Sequence, residues 1–406
     1  MNPHQLIQQE LLLAVLLIIP ASPVIAQNWT QTSAPTNFWK SVAESPDGVK
    51  MVAVAALETY YGKGDGRIYV STNSGATWLA AAAPANGWSS VASSSDGMNW
   101  MVAGPGQILN STNSGINWYE GIPWHTNYWS AIGWSADGSR RVAADPGGGF
   151  IPARLFTSTN AGVDWTSTTY SYDDWTSLAA SKDGSKWMAT SLYSQGGVYF
   201  SGDAGQTWSQ TTDSGSSSVA CSADGHRWLT AQGSGVFLSM NSGATWIKTT
   251  APTADWVSVA SSADGIRLVA IANNGPIYLS TNSGVDWTDS GAPTNYWSSV
   301  SSSADGHKLV AVVGWYTPHS GGYWSGPIYT LQTAPAPVLM IYRSDGNLLL
   351  SWLVPSIKFV LQQNSDLAKT NWTDVRISPT LNYTNLHYEV SLQPEIGPMF
   401  YRLAFK

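Results

Sequence analysis

Seven acidic side chains, Glu58, Asp65, Glu120, Asp145, Asp173, Asp174 and Asp255, stand in stretches that read as connections between strands. Any two of them held about 5 to 10 Å apart across a cleft could hydrolyse a glycosidic bond. No spacing ties one acid to another, and the bland reading is solvated loop charge. The six histidines are scattered without metal-ligand spacing. Each Asp-Gly pair lacks a second oxygen ligand two residues away, so turn formation explains it better than calcium. No Gly-x-Ser-x-Gly elbow occurs, and Gly62 to Gly66 lacks the helix that a phosphate loop requires. The sequence therefore predicts no catalytic residue, no metal and no cofactor. What remains is aromatic. Long connections hold Tyr60, Tyr61, Phe150, Tyr193, Trp315, Tyr316, Tyr323 and Trp324, and others add Tyr119, Trp124, His125, Tyr170, Tyr172 and Asp174. Rigid apolar faces among Asn, Asp and Gly suit stacking on sugar rings or anchoring a protein partner. The competing reading is that these rings pack over loop backbones in a tryptophan-rich fold.

The elements that must position these side chains come as two alternating motifs. The first is a Trp, a short apolar strand and an Asp-Gly turn: Trp39 with Asp47, Trp88 with Asp96, Trp129 with Asp137, Trp175 with Asp183, Trp256 with Asp264 and Trp297 with Asp305. A further copy ends at Asp224 and has Ser216 in place of the Trp. The second motif is a strand ending in Ser-x-Asn-x-Gly-x-x-Trp, found at Ser71–Trp78, Ser111–Trp118, Ser158–Trp165, Ser201–Trp208, Ser239–Trp246 and Ser280–Trp287. Two hairpins per period give four strands, and the Asp-Gly turns recur every 40 to 49 residues. The last unit lacks the second motif, and Asn28 to Thr36 matches Thr245 to Thr253 instead. The N-terminal segment is thus expected to supply the missing outer strand and close a ring, removing an exposed end.

The second motif resembles the Asp-box, or BNR repeat, of sialidases, some xyloglucanases and propeller-type photosystem assembly factors. The box acid is Asn at Asn73, Asn113, Asn160, Asn241 and Asn282, and remains acidic only at Asp203. The resemblance implies an all-β, seven-bladed β-propeller, with both kinds of turn on one rim and ligands bound at the opposite rim near the channel. Sialidase chemistry, as the resemblance implies, needs three arginines, a Tyr–Glu nucleophile pair and an Asp acid. Of Arg67, Arg140, Arg141, Arg154, Arg227 and Arg267, all but Arg67 and Arg154 follow Asp-Gly turns, where other units have Lys50, Lys186 and Lys308. A charge repeated at that register reads as a solvated strand edge, leaving too few arginines on the ligand side. Xyloglucanases form their cleft with two propellers, and this chain has one.

Only 11% of the residues are charged while 43% are hydrophobic, so Ser, Thr, Asn and Gly supply most of the polarity, as in turn-rich β proteins. The net charge of −7, with scattered Lys and Arg, argues against nucleic acid. Cys221 stands alone and cannot form an internal disulfide. Residues 1–26 read as a signal peptide: the apolar run Leu11–Ile19 is too short to span a bilayer, and Val24-Ile25-Ala26 suits cleavage. The expectation is a secreted, periplasmic or cell-surface protein without an integral membrane segment. The propeller spans 27–333, Ala334-Pro335-Ala336-Pro337 is a stiff linker, and 338–406 reads as a small β-sandwich. Leu348 to Trp352 followed by Pro355 resembles a fibronectin type III module, with its topology open. The functional expectation is a non-catalytic propeller binding a glycan or protein through Tyr60, Tyr61, Arg67, Trp124, His125, Arg154, Tyr172, Asp174, Tyr193, Trp315, Tyr316, Tyr323 and Trp324. The alternatives are a glycoside hydrolase and an extracytoplasmic assembly factor.

Overall fold

The computed structural model describes residues 28–58, 64–121, 128–147, 152–170, 174–192, 196–212, 214–317, 322–332, 339–344, 347–353, 359–365, 372–382, 387–393 and 399–405. Among them every regular element is a β-strand, and no helix is long and apolar enough to cross a membrane. The chain divides into two compact units, Gln27–Thr333 and one that includes Ala334–Lys406.

Among the described residues the first unit contains seven four-stranded antiparallel sheets. Sheet one runs Trp39–Glu44, Met51–Ala55, Ile68–Ser71 and Leu79–Ala80, in that order from inside to outside. Sheets two to six repeat this plan from consecutive strands. Sheet seven takes Trp297–Ser302, Lys308–Thr317 and Gly322–Gln332, and its fourth strand is Thr30–Gln31, paired with Thr330 and Tyr329. Trp29 packs on Trp297 beside this junction, with ring centroids 6.4 Å apart. The first strands of successive sheets pack on one another, and that of sheet seven packs on that of sheet one, so the array is closed.

Two short-range devices build each sheet. In the Asp-Gly turns a buried Ser two residues before the Asp, from Ser45 to Ser303, donates its hydroxyl to the Asp Oδ1 at 2.5–2.6 Å. Those Ser bonds, with a backbone N–H two residues on, hold Asp137 and Asp183 down at about 2. In the second kind of turn, Gly N–H donates to the opening Ser, and the Asn or Asp Oδ1 accepts the backbone N–H four residues on, as in Gly75 to Ser71 and Thr77 to Asn73. The residue before the Gly also takes positive φ, from Ser74 at 55° to Ala204 at 63°, so the left-handed step has two residues rather than the Gly alone. The two kinds of turn touch within each sheet, as where Ser74 N–H donates to Val49 O at 2.8 Å and Ser114 N–H to Met98 O at 2.8 Å. They therefore share one rim.

Between sheets, Trp39, Trp88, Trp129, Trp175 and Trp297 are at most 1% exposed, and Trp39, Trp129, Trp175 and Trp297 each meet an aromatic ring edge-on. In sheet five Ser216 takes the place of the Trp and lies opposite Gln232, whereas Trp39, Trp175, Trp256 and Trp297 face Ala55, Ser191, Ala272 and Val313. Hydroxyls then stitch the seams: Ser41, Ser90, Ser177, Ser218, Ser258 and Ser299 each accept a backbone N–H from the next sheet at 3.1–3.3 Å. At the turn rim a second belt runs from Ser95 N–H through Ala136, Lys182, Ala223, Ala263 and Ala304 to Pro46 O, and breaks only where Pro46 has no N–H to give.

Three of the cations after the Asp-Gly turns, while still reached by solvent, also make hydrogen bonds across a seam. Lys308 Nζ donates to Asp47 O at 2.8 Å, Arg140 Nη1 to Asp183 O at 2.6 Å and Arg227 Nη1 to Asp264 O at 2.7 Å, each clamping the next sheet's turn. Cys221 gives its thiol to Ala180 O, and burial pushes that thiol up to about 12, which leaves it inert.

In the second unit a four-stranded and a three-stranded sheet share one core in which Leu350, Trp352, Val390 and Leu392 meet Leu361.

Two predictions follow from side-chain pairing in the turns and at the closing seam. Asn160 Nδ2 donates to Asp164 Oδ2 at 2.8 Å, and Asn282 Nδ2 to Asp286 Oδ2 at 2.8 Å, whereas Asn73 and Asp203 meet the hydroxyls of Thr77 and Thr207. Asn160→Asp or Asn282→Asp sets carboxylate against carboxylate and should cost about 1 kcal/mol in denaturant melts, while Asn73→Asp should stay within about 0.5 kcal/mol of wild type. Glu44 is 6% exposed, and neither of its oxygens has a hydrogen-bond partner. Burial raises its pKa well above the usual carboxylate range, opposed by Lys308 and assisted by Asp305 and Asp47. A raised folded-state value means that stability is fullest below the unfolded value near 4.3 and falls as pH rises toward the folded one. Glu44→Gln should flatten that fall, measured as Tm from pH 4 to pH 8; parallel Tm curves for the two proteins would refute the assignment.

Candidate functional site

The rim opposite the turns is built from the connections between second and third strands. In sheets two and five these are two-residue links, between Gly104 and Gln107 and between Gln232 and Gly235. Sheets one and seven differ. Sheet one adds a small hairpin, Leu57–Glu58 paired with Gly64–Asp65. In sheet seven the strands run on past the sheet as Lys308–Thr317 and Gly322–Gln332, with Trp315 opposite Trp324 and Tyr316 opposite Tyr323. The residues expected in a loop therefore lie on a continuous ribbon, because the ladder persists beyond a register shift between Val312 and Gly314.

These two projections are adjacent because the array is closed, and one buried residue ties them together. Asn37, 3% exposed, exchanges backbone hydrogen bonds with Gly326 at 3.1 and 3.0 Å at the foot of the ribbon. Its side chain donates to Asp65 Oδ1 at 2.8 Å and accepts from Asp65 N–H at 3.1 Å at the foot of the sheet-one hairpin. Trp39 Nε1 donates to the same Gly326 O at 2.9 Å. A Cβ on Gly314 would overlap the Trp39 backbone, so only Gly lets the ribbon pass this close. Asp65, a candidate acid by sequence, is committed here: its Oδ2 accepts the Tyr69 hydroxyl at 2.7 Å. Burial, followed by that bond and the Asp65 charge, pushes the phenol up to about 12.

On the ribbon Trp324 is 45% exposed and stacks on Tyr296 at 4.3 Å with an interplanar angle of 16°. One indole face is covered, and the stack fixes the ring. The backbones of Trp315, Tyr316 and Tyr323 belong to the same ribbon. Arg67 is exposed beside the sheet-one hairpin, with its N–H on Asp65 Oδ1 at 3.0 Å. Arg154 lies opposite Asp145 in sheet three, away from this pair of projections, and its Nε is buried without a hydrogen-bond partner. Asp174 opens sheet four, half-buried, with its carboxyl pushed up by burial. Tyr60, Tyr61, Trp124, His125, Tyr172 and Tyr193 lie outside the described residues. The structure thus gathers Trp315, Tyr316, Tyr323 and Trp324, places Arg67 at the neighbouring hairpin, and leaves Arg154 and Asp174 on other sheets. No group of His, Cys, Asp or Glu among the described residues could hold a metal ion.

Sequence reasoning missed Asn37, Phe38, Lys40 and Tyr296. A signal existed: the triplet Asn-aromatic-Trp occurs at Asn37–Trp39, Asn127–Trp129 and Asn295–Trp297. Asn295 and Trp297 bond Gly275 of sheet six as Asn37 and Trp39 bond Gly326 of sheet seven. The triplet is a clasp on the preceding sheet's connection.

No protein-family model matches the sequence, and no curated protein matches it. Solved structures do match in shape. YCF48 bound to D1 peptide aligns with a TM-score of 0.55 at 12% identity, over 76% of this chain and 97% of that one. The GH74 xyloglucanase from Xanthomonas campestris aligns with a TM-score of 0.54 at 13% identity, over 80% of this chain but only 59% of the enzyme. The β-propeller domain of Cps50 (Swd1) from Myceliophteria thermophila aligns with a TM-score of 0.54 at 12% identity, over 76% of this chain and 100% of that one. At such identities the likeness is one of fold, and with the closed array of four-stranded sheets it makes this chain a β-propeller.

Proposed function

We propose that the chain is an exported, seven-bladed propeller of the Asp-box type that holds a protein partner against the wall formed by the ribbon of sheet seven and the hairpin of sheet one. The observation that carries this reading is the exposed Trp324, fixed on Tyr296, on a ribbon tied to its neighbour through buried Asn37. A rigid aromatic presented on an inflexible support loses little conformational freedom on binding, which is what a binding anchor requires. Among the similar structures, YCF48 is bound to D1 peptide, so a propeller of this fold can present a peptide-binding surface. In this reading the C-terminal unit is a small β-sandwich serving as an accessory or anchoring module.

The test is capture of partners by the full chain from its own source, compared with Trp324→Ala and with Ile116→Ser on the turn rim. One stoichiometric protein should co-purify, weakened by about 2 kcal/mol or more in Trp324→Ala and unchanged in Ile116→Ser. Binding on a glycan array that is lost in Trp324→Ala would replace the protein with a sugar. Turnover of fluorogenic glycosides abolished by one Asp or Glu substitution would replace binding with hydrolysis.

A further inference from the structure

On the turn rim, three lysines that follow Asp-Gly turns lay their stems across the glycine of the next sheet's turn. A Cβ on Gly48, Gly225 or Gly97 would meet the Cδ of Lys308, Lys186 or Lys50 at 2.5, 3.0 or 3.3 Å. Two of the ammonium groups end on oxygen. Lys308 Nζ reaches Asp47 O at 2.8 Å and Ser74 Oγ at 3.5 Å, and Lys186 Nζ reaches Asp224 O and Gly225 O at 3.3 Å and Ser242 Oγ at 3.2 Å. Lys50 ends on sulfur. Its Nζ donates to Met98 Sδ at 3.1 Å, and the hydroxyl of Ser114, the counterpart of Ser74 and Ser242, donates to the same atom at 3.3 Å.

Residue 98 is what diverts the ammonium. It follows the Asp96-Gly97 turn, at a position held by Val49 in sheet one and His226 in sheet five. A thioether is a weak acceptor, and among the described residues neither the Lys50 ammonium nor the Ser114 hydroxyl bonds an oxygen. The same seam also lacks its belt bond, because Pro46 has no N–H to give to sheet two. Two donors therefore converge on a poor acceptor at a seam that has fewer backbone bonds than its neighbours. The sulfur is also reachable: Met98 is 42% exposed, whereas Met51, Met101 and Met188 are at most 1% exposed. The turn that carries it does not depend on the thioether, since Asp96 Oδ1 accepts the Ser94 hydroxyl and the Met98 backbone N–H.

We propose that Met98 is a site of reversible oxidation by peroxide, and that its sulfoxide oxygen becomes the acceptor that Lys50 and Ser114 lack, so that oxidation tightens the seam of sheets one and two. A sulfur lone pair attacks one oxygen of hydrogen peroxide, the O–O bond breaks, and the other oxygen leaves as water with both protons. Sulfur gives up two electrons and the peroxide takes them. The S–O bond is strongly dipolar, and an ammonium hydrogen bond to it is charge-assisted. Its oxygen needs the ammonium to draw back, which the flexible end of a lysine allows. In an apolar contact a sulfoxide disrupts packing; here it meets two donors. The test treats the full chain with hydrogen peroxide, locates oxidised residues by peptide mass spectrometry and measures Tm before and after. Met98 and the 53% exposed Met240 should be oxidised in the folded protein, and Met51, Met101 and Met188 should not. Oxidised wild type should melt about 2 °C above the reduced protein, and methionine sulfoxide reductase should reverse the rise. Met98→Leu reports the effect of the other methionines and should show no rise. Lys50→Leu should lose the rise, whereas Lys50→Arg should keep it. Met98 left intact while Met240 is fully converted, a wild-type Tm unchanged or lowered by oxidation, or an equal rise in Met98→Leu or Lys50→Leu would overturn the proposal.

Discussion

The structure depends on seams between sheets that are closed by hydrogen bonds from small hydroxyl side chains to the backbone of the next sheet. A four-stranded sheet of this size cannot bury both faces by itself, so its stability comes from its neighbours. Among the described residues, six of the seven seams combine a buried aromatic or aliphatic layer with a Ser oxygen that satisfies an innermost N–H, and at the seam of sheets three and four the equivalent residue is Ala131. The bond from Val42 N–H to Ser299 Oγ spans 257 residues, and with Thr30–Gln31 on the outer edge of sheet seven it turns a stack into a ring.

Closure places side by side the ribbon of sheet seven and the hairpin of sheet one, which lie at the rim opposite the turns. The ribbon of sheet seven and the hairpin of sheet one come from opposite ends of the propeller sequence. Asn37 can serve both because its backbone faces Gly326 and its amide faces Asp65. Glycine at 314 and 326 lets strands approach within a distance that any Cβ would block. Rigidity at the wall is therefore produced at the seam, and the exposed indole of Trp324 inherits it.

Charge is handled differently at the two ends of the same seam. On the turn rim Lys308 reaches Asp47 O, and Glu44 lies buried nearby without a hydrogen bond, so electrostatics there acts on stability. At the other end of the seam Lys40 occupies a bulge position where Thr176, Ser217 and Ser298 bond the next sheet, and its exposed side chain makes no such bond.

By itself the sequence determined the all-β class, the four-strand repeat and the match of the N-terminal segment to an outer strand. These rest on turn chemistry confined to a few residues: Ser45 to Asp47, or Ser71 to Thr77, settle their hydrogen bonds locally and identically in each copy. Part of the candidate site was legible as well, since Trp315, Tyr316, Tyr323 and Trp324 stand out as aromatics in an irregular stretch. Only the tertiary structure decided that this stretch is a ribbon, that Tyr296 backs Trp324, that Asp65 is committed to Asn37 and Tyr69, and that the cations after the turns clamp the next sheet. The partners concerned lie far apart in the chain, 287 residues in the case of Trp39 and Gly326. Which side chain loses its water, and which finds a partner, depends on ring closure bringing such residues together, and no local pattern encodes that.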